Sequence, residues 1–294
     1  MSTDDELPGR VSAARGWVRR ARRPLGLPTR GKTTSGRLRR ADQFLSLAYP
    51  FTLRTLRAPM IDLGYGASPV TTLDSLEYLR GLNPSLRLIG VEIDPDRVRA
   101  ALPDAQPGLE FRLGGFNLPL GASETAGVIR AMNVLRQYPE QEYARSLALL
   151  GSYLAPAGIL LEGTSDPSGN MMALNLYLRG GRFLLHDGLA LIANLRRPFS
   201  PRQLQAILPK NYIHHLEPGS ALDDFFGAWS ACWQRAIQTQ VRDPRRLFAE
   251  AARWLHEEHG YHLSPRPGFL RRGILLLHSI PGEAQAPLEL AHVR

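Results

Sequence analysis

Short aliphatic runs alternate with longer amphipathic stretches through the middle of the chain. The runs are short enough for buried strands and cover residues 60–63, 86–92, 109–113, 126–132 and 158–163. Between the last two runs, residues 142–154 place apolar side chains at the spacing of a helix. Buried strands that alternate with helices predict an open parallel sheet with helices packed on its faces.

The pattern changes in the second half of the chain. Residues 182–195 suggest two short strands joined by a hairpin at Asp187-Gly188. Residues 220–238 and 243–259 predict two amphipathic helices, and the second has Asp243 as its N-cap and Gly260 as its stop. Residues 273–280 form a last apolar run. We therefore expect a helical pair inserted before a final strand.

The first strand ends in a glycine turn, MIDLGYGASP at residues 60–69. Gly64 and Gly66 allow the backbone to turn sharply and approach a ligand closely. A dinucleotide fingerprint would need a third glycine three residues after Gly66, and Pro69 occupies that position instead. The acid at Asp62, two residues before Gly64, favours a ligand that carries an amino group.

The second strand also ends in an acid. Glu92 closes the run LRLIGVE, 26 residues after Gly66. A carboxylate at this place in an α/β sheet can accept both hydroxyls of a ribose. Asp94 and Pro95 follow, and we expect Asp94 to cap the next helix.

Together these segments resemble class I S-adenosylmethionine (SAM)-dependent methyltransferases. The resemblance rests on DLGYG at residues 62–66, IGVEID at 89–94 and LAPAGIL at 154–160, and it covers residues 58–165. It implies a doubly wound, mostly parallel seven-stranded sheet with an antiparallel last strand and a helical insertion before it. SAM is then the expected cofactor, with Gly64, Tyr65 and Gly66 in its loop, Asp62 at its methionine end and Glu92 at its ribose.

The adenine contact departs from the family's pattern. The family often has Gly-Asp after the third strand, whereas this chain has Gly114-Gly115-Phe116-Asn117. Asn117 is the candidate for a polar contact, and Phe116 is the candidate for the adenine face. An ordinary core position for Phe116 is an equally good interpretation.

Two residues are candidates for the methyl-transfer site. Asn133 follows the fourth strand, where the resemblance places the transferred methyl group, and it is preferred over the neighbouring Arg130, Arg136 and Tyr138. Asp166 lies in a polar turn after the fifth strand and is a candidate general base. A turn-forming role before Pro167 explains Asp166 at least as well. No metal site is expected.

Charge is concentrated at the N-terminus. Residues 1–40 carry eleven Lys or Arg and three Asp or Glu, a net +8 of the +9 of the whole chain. Such an arm is either a solvated, flexible tail or a surface for phosphate-rich partners, including nucleic acid. For residues 30–45 two interpretations remain, a linker or a segment folded over the cofactor pocket, and we prefer the linker.

The remaining expectations concern domains, compartment and substrate. We expect a methyltransferase domain at residues 41–280, with residues 220–262 as a helical lid or substrate element, and a loose tail at 281–294. One cysteine, no apolar stretch long enough to span a membrane and no apolar segment after the N-terminal arginines predict a cytoplasmic protein. The predicted activity is SAM-dependent methyl transfer to an oxygen or nitrogen of a small molecule. The alternatives are a non-catalytic SAM-binding or nucleic-acid-binding protein and an RNA methyltransferase that uses the arm.

Overall fold

A single ten-stranded sheet organises the chain. The computed structural model describes residues 24–27, 33–279 and 286–291. In chain order the strands are Met60–Leu63 (β1), Leu88–Glu92 (β2), Leu109–Leu113 (β3), Ala126–Met132 (β4), Leu154–Ser165 (β5), Met171–Gly180 (β6), Phe183–Ala193 (β7), His262–Leu263 (β8), Ile274–Ser279 (β9) and Leu288–Glu289 (β10).

The strand order is β3-β2-β1-β4-β5-β6-β7-β9-β8, with β10 paired to β7. The strands from β3 to β5 are parallel, and their order is that of a doubly wound sheet. The predicted α/β class and the antiparallel last strand are thus confirmed. The sheet has ten strands rather than the expected seven, because β6 to β10 form a larger antiparallel half than the sequence predicted.

The hairpin of this half lies elsewhere than predicted. β7 runs without a break through Asp187 and Gly188, and it pairs with β6 along its length. The chain turns instead at Gly181, whose φ of 60° suits a glycine. The pairing shifts register between Leu176 and Tyr177, so Gly188 marks an irregularity inside a strand rather than a turn.

Nine helices in the described part of the chain flank this sheet. They are Arg39–Ala48 (α1), Pro50–Thr55 (α2), Val70–Arg80 (α3), Pro95–Ala101 (α4), Glu140–Ser152 (α5), Lys210–Ile213 (α6), Ala221–Ile237 (α7), Pro244–Glu257 (α8) and Pro267–Leu270 (α9). As predicted, Asp94 and Asp243 cap α4 and α8 through backbone N–H groups of the first turn.

Three apolar clusters fill the two faces of the sheet. Side chains of α1 and α3 pack on one face. On the other face, α5 covers the parallel half, and α7 with α8 covers the antiparallel half around the buried Trp229. The predicted helical pair therefore exists, and it forms core with β6, β7 and β9.

Both ends of the described chain are more structured than the sequence suggested. The preferred linker interpretation of residues 30–45 is wrong for residues 33–45, because α1 buries Phe44 and Leu45 completely against the sheet. Near the C-terminus, where a loose tail was expected, Leu288 and Glu289 pair with β7. Most of the predicted arm, residues 1–23, lies outside the described residues, as do 28–32, 280–285 and 292–294.

None of the helices in the described ranges combines the length and the apolar character that a membrane crossing would need.

Candidate cofactor and transfer site

The predicted site residues converge at one edge of the sheet. β1, β2, β4 and β5 are parallel, so their carboxyl ends meet there. The chain leaves β1 toward β2 on one side, and β4 lies on the other side. This reversal of strand order is where doubly wound sheets leave a crevice for ligands.

The glycine loop after β1 has the backbone that the sequence predicted. Gly64 and Gly66 have φ values of 71° and 87°, in the left-handed region where a side chain would be strained. The Gly66 N–H donates to Glu92 Oε2 at 2.8 Å, and the Gly64 N–H donates to the Val91 carbonyl at 2.7 Å. The loop is therefore fixed to the end of β2.

Glu92 is completely buried at the end of β2. Its Oε1 accepts the N–H of Ile93 at 2.9 Å, and Arg97 Nη1 lies 3.8 Å from Oε2. A carboxylate offers about four acceptor directions, and the N–H groups of Gly66, Ile93 and Asp94 already take three of them, so ribose hydroxyls would have to share Glu92 with these donors. Its ribose role stays a prediction.

Asp62 has partners that the sequence did not reveal. Arg130 Nε donates to its Oδ1 at 3.0 Å, and Thr72 Oγ1 donates to its Oδ2 at 2.7 Å. Arg130 Nη1 also lies 2.6 Å from Asp42 Oδ1 in α1, and all three charged side chains are buried. Although burial opposes it, the two carboxylates raise the pKa of Arg130, and burial raises the pKa of Asp42. A cofactor amino group would have to share Asp62 with this cluster.

Asn133 stands at the end of β4 with a φ of 60°, an uncommon value outside glycine that asparagine tolerates best. Its side chain is held on both sides, since Nδ2 donates to Ser165 Oγ at 3.1 Å and Oδ1 accepts the Ser165 N–H at 3.0 Å. Asn133 lines a small cavity with Asp62 and the glycine loop. The structure thus brings it to the methionine end of the predicted site.

Arg37 lines the same cavity and was missed by sequence reasoning. It precedes α1, and its Nε donates to Ser165 Oγ at 3.1 Å and to the Asp166 carbonyl at 3.2 Å. Burial lowers the pKa of Arg37, against the opposing charge of Asp166. The sequence did not indicate a site role for Arg37, because nothing in the Arg-rich N-terminal segment distinguishes this arginine from its neighbours.

Asp166 forms the turn between β5 and β6. Its Oδ2 accepts from Ser168 Oγ at 2.7 Å, and its Oδ1 accepts the Met171 N–H at 3.2 Å. These are the contacts of the turn-forming interpretation. Its role as a general base stays a prediction.

Tyr65 points away from the glycine loop into the core. Its ring packs edge-on against Phe111, with centroids 5.4 Å apart, and its hydroxyl lies 3.4 Å from the Arg97 carbonyl. Burial raises the pKa of Tyr65, so the phenol stays neutral. Its backbone, rather than its ring, belongs to the predicted cofactor loop.

Residues 24–27 of the N-terminal segment lie across the predicted adenine contacts. The Leu25 N–H donates to Asn117 Oδ1 at 2.7 Å, and the Phe116 N–H donates to the Leu25 carbonyl at 2.8 Å. A Cβ on Gly115 would overlap that carbonyl, so the close approach requires glycine. The Phe116 ring packs on Tyr138, with centroids 5.0 Å apart.

With this segment in place, the space left at the site is small. The cavity at the glycine loop and Asn133 measures about 40 Å³, and the cavity between Glu92 and residues 25–27 measures about 20 Å³. Ligand pockets commonly measure ~300 Å³ or more. The polar groups present suit SAM, and room for its nucleoside requires residues 24–27 to move away.

A buried polar network that the sequence did not predict joins β5, β6 and α5. Glu162 Oε2 accepts from Tyr143 Oη at 2.7 Å and from Asn175 Nδ2 at 3.1 Å, and Oε1 has no hydrogen-bond partner among the described residues. His186 Nε2 lies 3.0 Å from Asn175 Oδ1. Burial raises the pKa of Glu162 to about 7 and lowers the pKa of His186 to about 4.

Comparisons with known proteins give only distant likenesses. No protein-family model and no curated protein matches the chain. Among solved structures, it is similar to an amino pentose methyltransferase from Micromonospora echinaspora involved in calicheamicin biosynthesis, at 15% identity over 55% of this chain and 70% of that chain (TM-score 0.34). It is also similar to the CcbJ methyltransferase from Streptomyces caelestis, at 15% identity over 54% and 73% (TM-score 0.34).

A third likeness is to the plantazolicin methyltransferase BpumL bound to SAH, the demethylated form of SAM, at 18% identity over 44% of this chain and 46% of that chain (TM-score 0.35). At these identities and TM-scores the likenesses carry no argument about activity. The fold class rests on the sheet order, and the functional argument rests on the pocket.

Proposed function

We propose that this chain is a SAM-dependent methyltransferase that acts on an oxygen or nitrogen nucleophile of a small molecule. The proposal joins the glycine loop after β1, the buried carboxylate of Glu92 and the polar groups that follow β3. All of them lie at the crevice where a doubly wound sheet binds nucleotide-like ligands.

The observation that carries the proposal is the hydrogen-bonded pair at Phe116 and Asn117. A backbone N–H and a side-chain oxygen hold the peptide of Leu25 through its carbonyl and its N–H. The edge of adenine offers the same two functions, an acceptor at N1 and a donor at the N6 amino group. We therefore assign this pair to adenine, with residues 24–27 as an internal occupant that the cofactor displaces.

The other end of SAM carries a carboxylate and an amino group. Arg37 reaches the cavity beside the glycine loop, and a guanidinium suits a carboxylate through paired hydrogen bonds. Asp62 lines the same cavity, although Arg130 and Thr72 already occupy its oxygens. We assign the carboxylate to Arg37 and the amino group to the Asp62 side of the loop.

SAM supplies a methyl group on a positively charged sulfur. The chain's own contribution is then mainly positional, since alignment of the nucleophile with the methyl group can supply much of the rate enhancement. Asn133 is the residue that we assign to this position, because Ser165 fixes its side chain at the end of β4. Asp166 remains the candidate for accepting a proton from the acceptor.

A pair of ligands tests the adenine assignment without altering the protein. SAH carries adenine, whereas S-inosylhomocysteine presents a donor at N1 and an acceptor at position 6. The N1 donor would face the N–H of Phe116, so we expect calorimetry to show its binding at least ~10-fold weaker than that of SAH. Equal affinities would contradict the assignment, and no binding of SAM or SAH would contradict the proposed function.

The charge of residues 1–40 favours a second candidate, an RNA methyltransferase or a nucleic-acid-binding protein on the same fold. Deletion of residues 1–23 distinguishes the two candidates, because it removes six arginines from the arm without touching residues 24–27. Loss of RNA binding together with loss of methyl transfer to RNA would favour the second candidate. Unchanged methyl transfer to a small-molecule acceptor would favour the first.

A further inference from the structure

A groove lined by arginines opens beside the candidate transfer site. It measures about 700 Å³ and lies between α1, the segment after β7, the start of α8 and the end of α9. Five guanidinium groups line it, those of Arg40, Arg196, Arg245, Arg271 and Arg272. Four of the five belong to residues 41–294, whose net charge is only +1.

These arginines have no ion-pair partner among the described residues. Elsewhere the chain pairs its arginines with carboxylates, as at Arg112 with Glu110 and Glu124. In the groove, Arg271 and Arg272 donate only to backbone carbonyls. The carboxylate of Asp243 also lines the groove, and its Oδ1 accepts the Arg245 N–H to cap α8. One lining carboxylate therefore faces five arginines, so the groove keeps an excess of positive charge.

Arg40 carries the strongest sign that an anion belongs there. It is half-buried in α1, and no hydrogen-bond acceptor of the described residues contacts its guanidinium. Burial lowers the pKa of Arg40, and the like charge of Arg196 lowers it further, against the attraction of Asp166. A bound anion would favour the charged form of this partly desolvated guanidinium.

The Asp166 turn contacts residues of both the groove and the transfer site. Arg37 contacts the Asp166 carbonyl from the cofactor side, and Arg40, three residues later, faces the groove. Asn194 joins the groove to the same turn, because its N–H donates to the Asn170 carbonyl at 2.7 Å and its Nδ2 donates to Asn170 Oδ1 at 2.7 Å. The groove and the cavity at Asn133 thus have the Asp166 turn as a common neighbour.

We infer that this arginine groove binds the phosphate or diphosphate group of a small molecule, which on the proposed function is the methyl acceptor. Guanidinium groups bind phosphate oxygens through paired, charge-assisted hydrogen bonds. The volume is in the range of small-molecule pockets. A strand of nucleic acid would instead need an extended basic track with aromatic stacking surfaces. No aromatic side chain lines this groove in the described part of the chain.

Calorimetry of the full chain with inorganic pyrophosphate tests the inference without SAM. We expect pyrophosphate to bind, and the double variant Arg40→Gln, Arg196→Gln to weaken binding at least ~10-fold. Since Arg40 is half-buried, a second pair on exposed positions, Arg271→Gln with Arg272→Gln, should weaken it similarly. Arg99→Gln on α4 is the matched control, because its guanidinium pairs with Asp96 on the surface, and it should bind like the wild type.

The outcomes separate this inference from the proposed function. Binding of SAH without binding of pyrophosphate would contradict the assignment of the groove to phosphate and leave the methyltransferase proposal intact. Binding of pyrophosphate without binding of SAH would contradict the methyltransferase proposal and leave the assignment of the groove intact. Pyrophosphate binding that Arg99→Gln weakens as much as the groove variants would also overturn the groove.

Binding of an RNA oligonucleotide of about 16 residues is the last measurement of the test. Stronger binding of RNA than of pyrophosphate, lost in the groove variants and steeply dependent on salt, would assign the groove to nucleic acid instead. If both groove variants lose pyrophosphate binding to a similar extent and bind RNA like the wild type, the small-molecule assignment is supported.

Discussion

Replacement of Glu162 by Gln should remove a pH-dependent loss of stability. The side chain is completely buried, and its pKa is raised from 4.5 to about 7. Gln can keep both contacts of Oε2, because one amide oxygen can accept from Tyr143 and Asn175. Its NH₂ group would then take the place of Oε1, which has no hydrogen-bond partner among the described residues.

The sign and size of the effect follow from the raised pKa. The folded state binds the Glu162 proton more tightly than the unfolded state, so stability is lost as pH rises from about 4.5 through 7. A difference of about 2.5 units corresponds to ~3 kcal/mol, most of it lost between pH 5 and pH 8. Since Gln does not titrate, the variant should gain about 2 to 3 kcal/mol relative to the wild type over this interval.

Urea unfolding at pH 5 and pH 8 measures this difference. Other titrating groups are common to both proteins and cancel in the comparison, provided the slope with urea is unchanged. Glu77→Gln, on the exposed side of α3, is the matched control and should show no such change with pH. A wild-type-to-variant difference that is equal at the two pH values would refute the reasoning.

Three further predictions concern the site. Arg130→Met should lower the free energy of unfolding by ~3–5 kcal/mol, because it leaves the buried carboxylates of Asp42 and Asp62 without their guanidinium; a loss below ~1 kcal/mol in urea unfolding would contradict the cluster's role. Deletion of residues 1–32 should strengthen SAM binding ~10-fold or more in calorimetry, since it removes the internal occupant, whereas deletion of residues 1–23 should not; equal affinities for the two truncations would contradict the displacement. Arg37→Ala should weaken SAM binding ~10-fold or more and leave adenosine binding unchanged, because adenosine has no carboxylate; equal losses for both ligands would contradict its assignment.

Local patterns predicted the parallel half of the sheet and the placement of its polar residues. The apolar runs end where β1, β2 and β4 end, and parallel strands necessarily bring Asp62, Glu92 and Asn133 to one edge. Such positions follow from strand boundaries alone. The sequence could therefore indicate both the fold class and the location of the candidate site.

What the sequence did not reveal depends on contacts between distant residues. Arg130 meets Asp42 from 88 positions away, and Leu25 meets Asn117 from 92 positions away. The sequence also did not reveal β6, because Asn175 interrupts its apolar residues. The hydrogen bond from Asn175 to Glu162, which satisfies this polar side chain, exists only in the folded protein. No local pattern carries this information.

The central claim is that the crevice beside β1 and β2 binds the nucleoside of SAM, with Glu92 at its ribose. Calorimetry of SAM binding to the wild type, to Glu92→Ala and to the surface control Glu77→Ala tests it most directly, with Glu92→Gln as the variant that can still accept the Gly66 N–H. We predict that the wild type and Glu77→Ala bind SAM equally, that Glu92→Gln binds at least ~10-fold more weakly and that Glu92→Ala binds more weakly still. Unchanged binding in both Glu92 variants, or no binding by the wild type, would contradict the account.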